Sequence, residues 1–250
     1  MFHMGTNQMG AFDVVFLRPK VRQQLSRSAL LALGCSTAAC VVGGQATEGI
    51  DDVDAAAVVT IAEARGVDDD AVVTVEGNVS VAPGAFASAM GDQGFALQDD
   101  TGGLYVKLDE ALDFDVGQRV RVTGTIGEQA QLRIVTAVPA DVATLDGGEA
   151  PTPREVTTGE VAEPVEGLLV EVQGAVTQTF RDDSPYGYKL AVDDGSGEVQ
   201  VFVHIQPDTD AAPLQQLIVG DAVRVVGLAA QYETTYEVAP RTAADLEVLP

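Results

Sequence analysis

Two histidines, two cysteines and 38 carboxylates are the side chains from which this 250-residue chain could assemble catalysis or a metal site. His3 precedes any predicted domain, which leaves His204 as the one imidazole within the presumed folded region. Cys35 and Cys40 both lie in an N-terminal apolar segment, so no disulfide or thiolate metal site can belong to the folding logic of the region C-terminal to it. A Ser–His–Asp site would have to recruit His204 from the alternating run Val199 to Ile205, and no Gly-x-Ser-x-Gly turn surrounds any serine. The acidic turns at 99–103 (DDTGG) and 193–198 (DDGSGE) offer oxygen ligands for Ca²⁺, but they lack EF-hand spacing. Asp and Gly are also what tight hairpins need for their own geometry. No metal, no cofactor and no catalytic constellation are expected, which points to binding.

The bases are more informative. Lys107, Arg119, Arg121 and Arg133 each alternate with Val, Leu or Ile, so a period of two sends the apolar residues inward and these four outward. A hairpin turning about Gly127 would set Val120 opposite Ile134 and Arg121 opposite Arg133. Facing like charges destabilise a sheet unless an anion or a carboxylate compensates. With Tyr105 and Lys107 on a neighbouring strand, this is a small basic patch with an aromatic, of the kind single-stranded nucleic acids bind. The competing reading has Asp109, Glu110 or Glu128 neutralise it locally. In the second half Arg224 is expected to face Glu237. That half offers aromatics instead, and Phe202 and His204 alternate with inward Val201 and Val203, so both are candidate ligand contacts; a Phe202 that fills the barrel end and a His204 that merely faces solvent from its strand are the alternatives.

These residues sit in one motif order that occurs twice. An alternating strand (71–81), a hairpin through Asp-Asp-Thr-Gly-Gly (95–108), a strand after Val116-Gly117 (118–124), another strand (131–136) and a closing ADVATL (140–145) form the first copy. The second runs through 168–177, 188–203, 219–227 and 243–249, with a short helix expected near 211–217. A repeat of about 100 residues signals duplicated domains, since solenoid periods are roughly 20–50. Five such strands, with a longer connection between the third and fourth, fit a closed Greek-key barrel, which hides its edges. The expected fold is therefore all-β, two tandem five-stranded Greek-key OB-type barrels at 58–147 and 148–250.

The run Thr60-Ile61-Ala62-Glu63-Ala64-Arg65, then Val75-Glu76-Gly77-Asn78-Val79, Leu97 to Gly103 and Val116 to Gly124, resembles bacterial OB-fold domains of the nucleic-acid-binding type, such as accompany secreted nucleases and phosphoesterases. The likeness is weaker over 155–249, which lacks the Ile-Ala-Glu-Ala-Arg segment. It implies a binding role, because such modules are not the catalytic part.

Residues 1–40 look like an export signal: basic 18–27, then a small apolar run 28–42 too short for the roughly 20 residues of a membrane span. Boxes ending at Cys35 and Cys40 resemble bacterial lipoprotein cleavage sites, and cleavage after Ala46 is the alternative. A lipid on either cysteine would be the only membrane attachment of a periplasmic, outer-membrane-anchored or secreted protein. Residues 41–57 form an acidic linker. From residue 41 onward 10 bases stand against 37 acids, a net of −27, which repels polyanions at long range. The expected function is an exported, non-catalytic binding protein. Its partner is single-stranded nucleic acid by resemblance, or else an envelope protein or glycan.

Overall fold

Val73, Val75 and Val79 alternate along β2 (Val72–Val81) and point into one apolar core. The same period of two recurs in β3 (Phe95–Gln98), β4 (Gly103–Lys107) and β5 (Arg119–Gln129). There Phe95, Leu97, Leu104, Val106, Val120 and Val122 join them. This computed structural model describes residues 57–206 and 209–250; the candidate signal, Cys35 and Cys40 lie outside them. β6 (Leu132–Thr136) pairs in parallel with β4 and antiparallel with β5, and β5 pairs with β2 to close a five-stranded Greek-key barrel. The short strands β1 (Val58–Val59) and β7 (Val142–Leu145) extend the sheet beside β2 and β5.

The second barrel repeats the plan. β9 (Leu169–Asp183), β10 (Gly187–Asp193), β11 (Val199–His204), β13 (Thr235–Ala239) and β12 (Ala222–Tyr232) close through the β9–β12 pair. β8 (Arg154–Glu155) and β14 (Leu246–Val248) flank it, and α2 (Ala212–Gln215) sets Leu214 into its core.

Both copies begin with a capping box docked on an acidic hairpin. In the first, Thr60 and Glu63 cap α1 (Ile61–Arg65), and Asp99 Oδ2 accepts from the Ile61 amide at 2.9 Å. The Ala62 amide donates to Thr101 Oγ1. In the second, Thr157 and Glu160 cap a 3-10 turn; Asp194 accepts from the Thr158 amide and hydroxyl, and the Gly159 amide donates to Ser196 Oγ. The segment that the second copy lacks by sequence is thus present as Thr157-Thr158-Gly159-Glu160. Each acidic turn spends an aspartate on the amides of a helix start, which have no partner within the helix.

The barrels pack on each other. Val81, Ala96, Tyr105, Leu132 and Ile134, on the outside of the first, form one buried cluster with Leu228, Ala230 and Ala239 of the second, and Phe86 joins from the β2–β3 loop. Backbones meet at the joint: a Cβ on Gly103 would lie 2.0 Å from the Gly167 carbonyl oxygen. The Leu169 amide donates to Gln98 Oε1, and the Glu233 amide to the Ala130 carbonyl, so the two β-hairpin tips touch.

This packing overturns the expected register of the β5–β6 hairpin. The turn is Ala130–Gln131, both at positive φ, and Gly127 stays in the strand opposite Ile134. Glycine's ease at positive φ makes Gly127 the natural turn residue; the two-residue turn is made without it. β6 is consequently inverted relative to expectation. Val135 points into the barrel, while Leu132 and Ile134 face out, under the second barrel.

Candidate functional site

The inversion takes Arg133 out of any surface patch. Its guanidinium reaches Asp69 and the Val67 carbonyl at the end of the first barrel, with only 12% of the side chain exposed. It pairs across the hairpin with Glu128, not with Arg121. Arg121 instead lies opposite Glu76 on β2, and Arg119 reaches the same carboxylate. Both arginines stand outward and half-exposed, at 2.7 Å (Arg119) and 2.6 Å (Arg121) from the Glu76 oxygens. Hydrogen bonding from Arg121 holds the Glu76 carboxyl below its usual range. Lys107 points outward too, but its ammonium donates to Gln129 Oε1 at 2.8 Å, away from the arginine pair. The four bases expected to converge are therefore split three ways.

Tyr105 also departs from its expected role. It faces out of its own barrel, as alternation requires, yet it is fully buried, because the second barrel and the 82–94 loop cover it. Its hydroxyl lies 2.9 Å from Asp92 Oδ2 and 3.0 Å from the Phe86 carbonyl. Asp92, itself buried, accepts further bonds from the Ser88 amide and hydroxyl and the Gly94 amide, and so organises the loop. Burial, with the Asp92 charge beside it, pushes the phenol far above its ordinary range. The pair is structural.

Phe202 and His204 extend the same junction. Phe202 is buried, its ring lying over Gly187, where a Cβ would come within 2.5 Å of the ring. The His204 ring stacks edge-on between Phe202 and Phe86, at centroid distances of 4.7 and 4.6 Å. Burial lowers its pKa to about 4 against the opposing pull of Asp92, so it is neutral at pH 7. Phe202 is thus not free for a ligand, and the partly buried His204 ring is held between two others. Arg224 likewise pairs with Glu171 at 2.5 Å and approaches Glu247, not Glu237. Glu237 is buried beside Gln200, and desolvation raises its pKa to about 7.

What sequence reasoning missed is a cleft of about 400 Å³ at the joint. Arg65 and the 99–103 turn form one side; Arg154, Glu163, Glu166 and Leu168 form the other. Arg65 bridges Glu163 and Glu166, each at 3.0 Å. Single acids in a chain with 38 carry no signal; only the tertiary fold gathers these. Among the described residues, no group of three or more His, Cys, Asp or Glu side chains is arranged to hold a metal ion. No described helix is long and apolar enough to cross a membrane.

No protein-family model matches the sequence, and no curated protein matches it. Among solved structures, the chain is similar over part of its length to the tetrameric p202 HIN2 (14% identity, 73% of this chain and 96% of that one, TM-score 0.38). It is also similar to a murine DNA binding protein bound with double-stranded DNA (12% identity, 70% and 93%, TM-score 0.38). A third likeness is OBody AM3L09 bound to hen egg-white lysozyme (21% identity, 40% and 97%, TM-score 0.31).

Proposed function

We propose that this chain is an exported, non-catalytic binding protein whose joined barrels recognise an envelope partner, a protein in preference to a glycan. The observation that carries this reading is the burial of Tyr105 and Ala96 under the second barrel. OB barrels take oligonucleotides and oligosaccharides on the face of their second and third strands and through the loops beside it. In the first barrel that face is occupied from within the chain. Nucleic-acid affinity also rests on free Lys and Arg side chains that neutralise phosphates. Seven of the ten bases beyond residue 41 instead have a carboxylate within 4.0 Å; Lys107, Arg154 and Arg181 have none among the described residues. A surface of net charge −27 favours a neutral or basic partner.

The test is cross-linking of the full chain in its native envelope, identification of the partner, and reconstitution of binding with the purified pair. A reconstituted complex, with no binding of short oligothymidylate or oligouridylate at about 20 mM salt, is expected. Oligonucleotide binding at micromolar affinity without a reconstituted partner would overturn the reading in favour of single-stranded nucleic acid. That second reading is favoured by one observation: Arg119 and Arg121 share the single carboxylate of Glu76, a local excess of positive charge.

A further inference from the structure

Three features converge on the cleft at the barrel joint. First, the Glu166 side chain on its wall is 0% exposed; Oε1 accepts from Arg65 and the Arg133 amide, whereas Oε2 has no donor among the described residues. A buried carboxylate oxygen without a hydrogen bond is costly, so it is a natural place for an added donor. Burial raises the Glu166 pKa in spite of the Arg133 amide and Arg65.

Second, the rim carries Asp100, exposed and without hydrogen bond or ion pair among the described residues. Third, Gln98, Asp99 and Asp100 are shared with an adjoining cleft of about 510 Å³ that runs past Arg119 to Glu149. Along the combined cleft six carboxylates line the walls against three arginines, Arg65, Arg119 and Arg154, and with Arg121, which shares Glu76, the acids remain in excess by two. Arg65 and Arg119 are already engaged by Glu163, Glu166 and Glu76. An elongated cleft with surplus negative charge and an unsatisfied acceptor suits an extended ligand that brings donors and positive charge.

We propose that this cleft binds a basic peptide segment of a partner protein, with Lys or Arg side chains directed at Asp100, Glu149 and the Glu166 wall. The proposal rests on the protein-partner reading and assigns that reading a place.

The experiment titrates tetra-arginine into the full chain and follows affinity by calorimetry and position by backbone-amide NMR. Two double variants remove equal charge from exposed sites: Asp100→Lys with Glu149→Lys in the cleft, and Glu110→Lys with Asp113→Lys on the β4–β5 connection. We expect the cleft pair to weaken binding about tenfold and the control pair no more than about twofold, since short-range contacts add to a field both pairs alter alike. Amide shifts should centre on residues 98–103 and 163–168. Equal losses in the two variants would mean diffuse attraction to an acidic surface and would overturn the cleft, as would shifts centred elsewhere or no binding at all. The two readings fail separately. A reconstituted envelope partner indifferent to the cleft variants leaves protein recognition standing and removes only the cleft from it.

Discussion

Ile134 and Glu237 hold equivalent places in the two barrels. Ile134 pairs with Tyr105 across the parallel β4–β6 contact, and Glu237 pairs with Gln200 across the matching β11–β13 contact. One is covered by the neighbouring barrel and belongs to an apolar cluster; the other is a buried carboxylate whose pKa burial raises to about 7. A raised carboxyl pKa means the folded state holds its proton longer than the unfolded chain does. The contribution is then fully present below about pH 4.5 and lost as pH rises through 7. Between pH 5 and pH 8 this group alone should therefore cost up to about 3 kcal/mol of stability, while His204, whose pKa burial lowers to about 4, works in the opposite sense over the same range. Relative to the parent, Glu237→Gln should gain stability as pH rises from 5 to 8, with the largest difference in denaturant midpoint at pH 8. A variant as pH-dependent as the parent would assign the effect to other groups.

Arg133 and Arg121 should respond differently to truncation. Arg133→Ala removes bonds that tie Asp69 and the Val67 carbonyl to the end of the barrel, and a loss of about 1–3 kcal/mol is expected. Arg121→Ala breaks a half-exposed pair whose partner keeps Arg119, so the cost should stay below about 1 kcal/mol. Equilibrium unfolding of both variants decides between this asymmetry and a shared patch, which would make the two alike.

Gly103→Ala is expected to disturb the joint while leaving each barrel's core intact. The added methyl would sit 2.0 Å from the Gly167 carbonyl oxygen, and that neighbour is backbone, which cannot swing aside. Small-angle scattering should report a larger radius of gyration with unchanged far-ultraviolet dichroism. A radius equal to the parent's would show that the contact can relax locally.

Tyr105→Phe keeps the ring in its apolar cluster but removes the hydroxyl that meets Asp92. Because a charged acceptor in a buried site loses a donor, about 1–3 kcal/mol should be lost. Enhanced proteolysis in the 82–94 loop, which Asp92 organises, should accompany it. Loss of stability without change in that loop would place the hydroxyl's contribution elsewhere.

Processing is tested on the natively expressed protein by intact-mass spectrometry. Export predicts loss of everything before Cys35 or Cys40 and a lipid-sized mass increment on the new N-terminal cysteine. A mature start at Thr47 would exclude the lipid, and an intact cytoplasmic N-terminus would exclude export.

Alternation and turn chemistry by themselves determined the two barrels. Valine at every second position, hairpins built on Asp and Gly, and a motif order met twice leave few ways to bury one face of each strand. Outward direction at Arg119, Arg121, Lys107 and Tyr105 was equally local, because side chains alternate by geometry. Only the tertiary structure decided what each outward side chain meets. β6 reads as apolar-in and basic-out, yet Leu132 and Ile134 lie outside their barrel, because a second barrel makes that outer face a core as well. Once both faces of a strand are buried, a period of two no longer distinguishes them. The turn at Ala130–Gln131, the shared carboxylate of Glu76 and the gathering of Asp100, Glu149 and Glu166 along one cleft have the same origin. They depend on contacts between segments tens of residues apart, and no local pattern in a chain this acidic singles out which carboxylate each arginine finds.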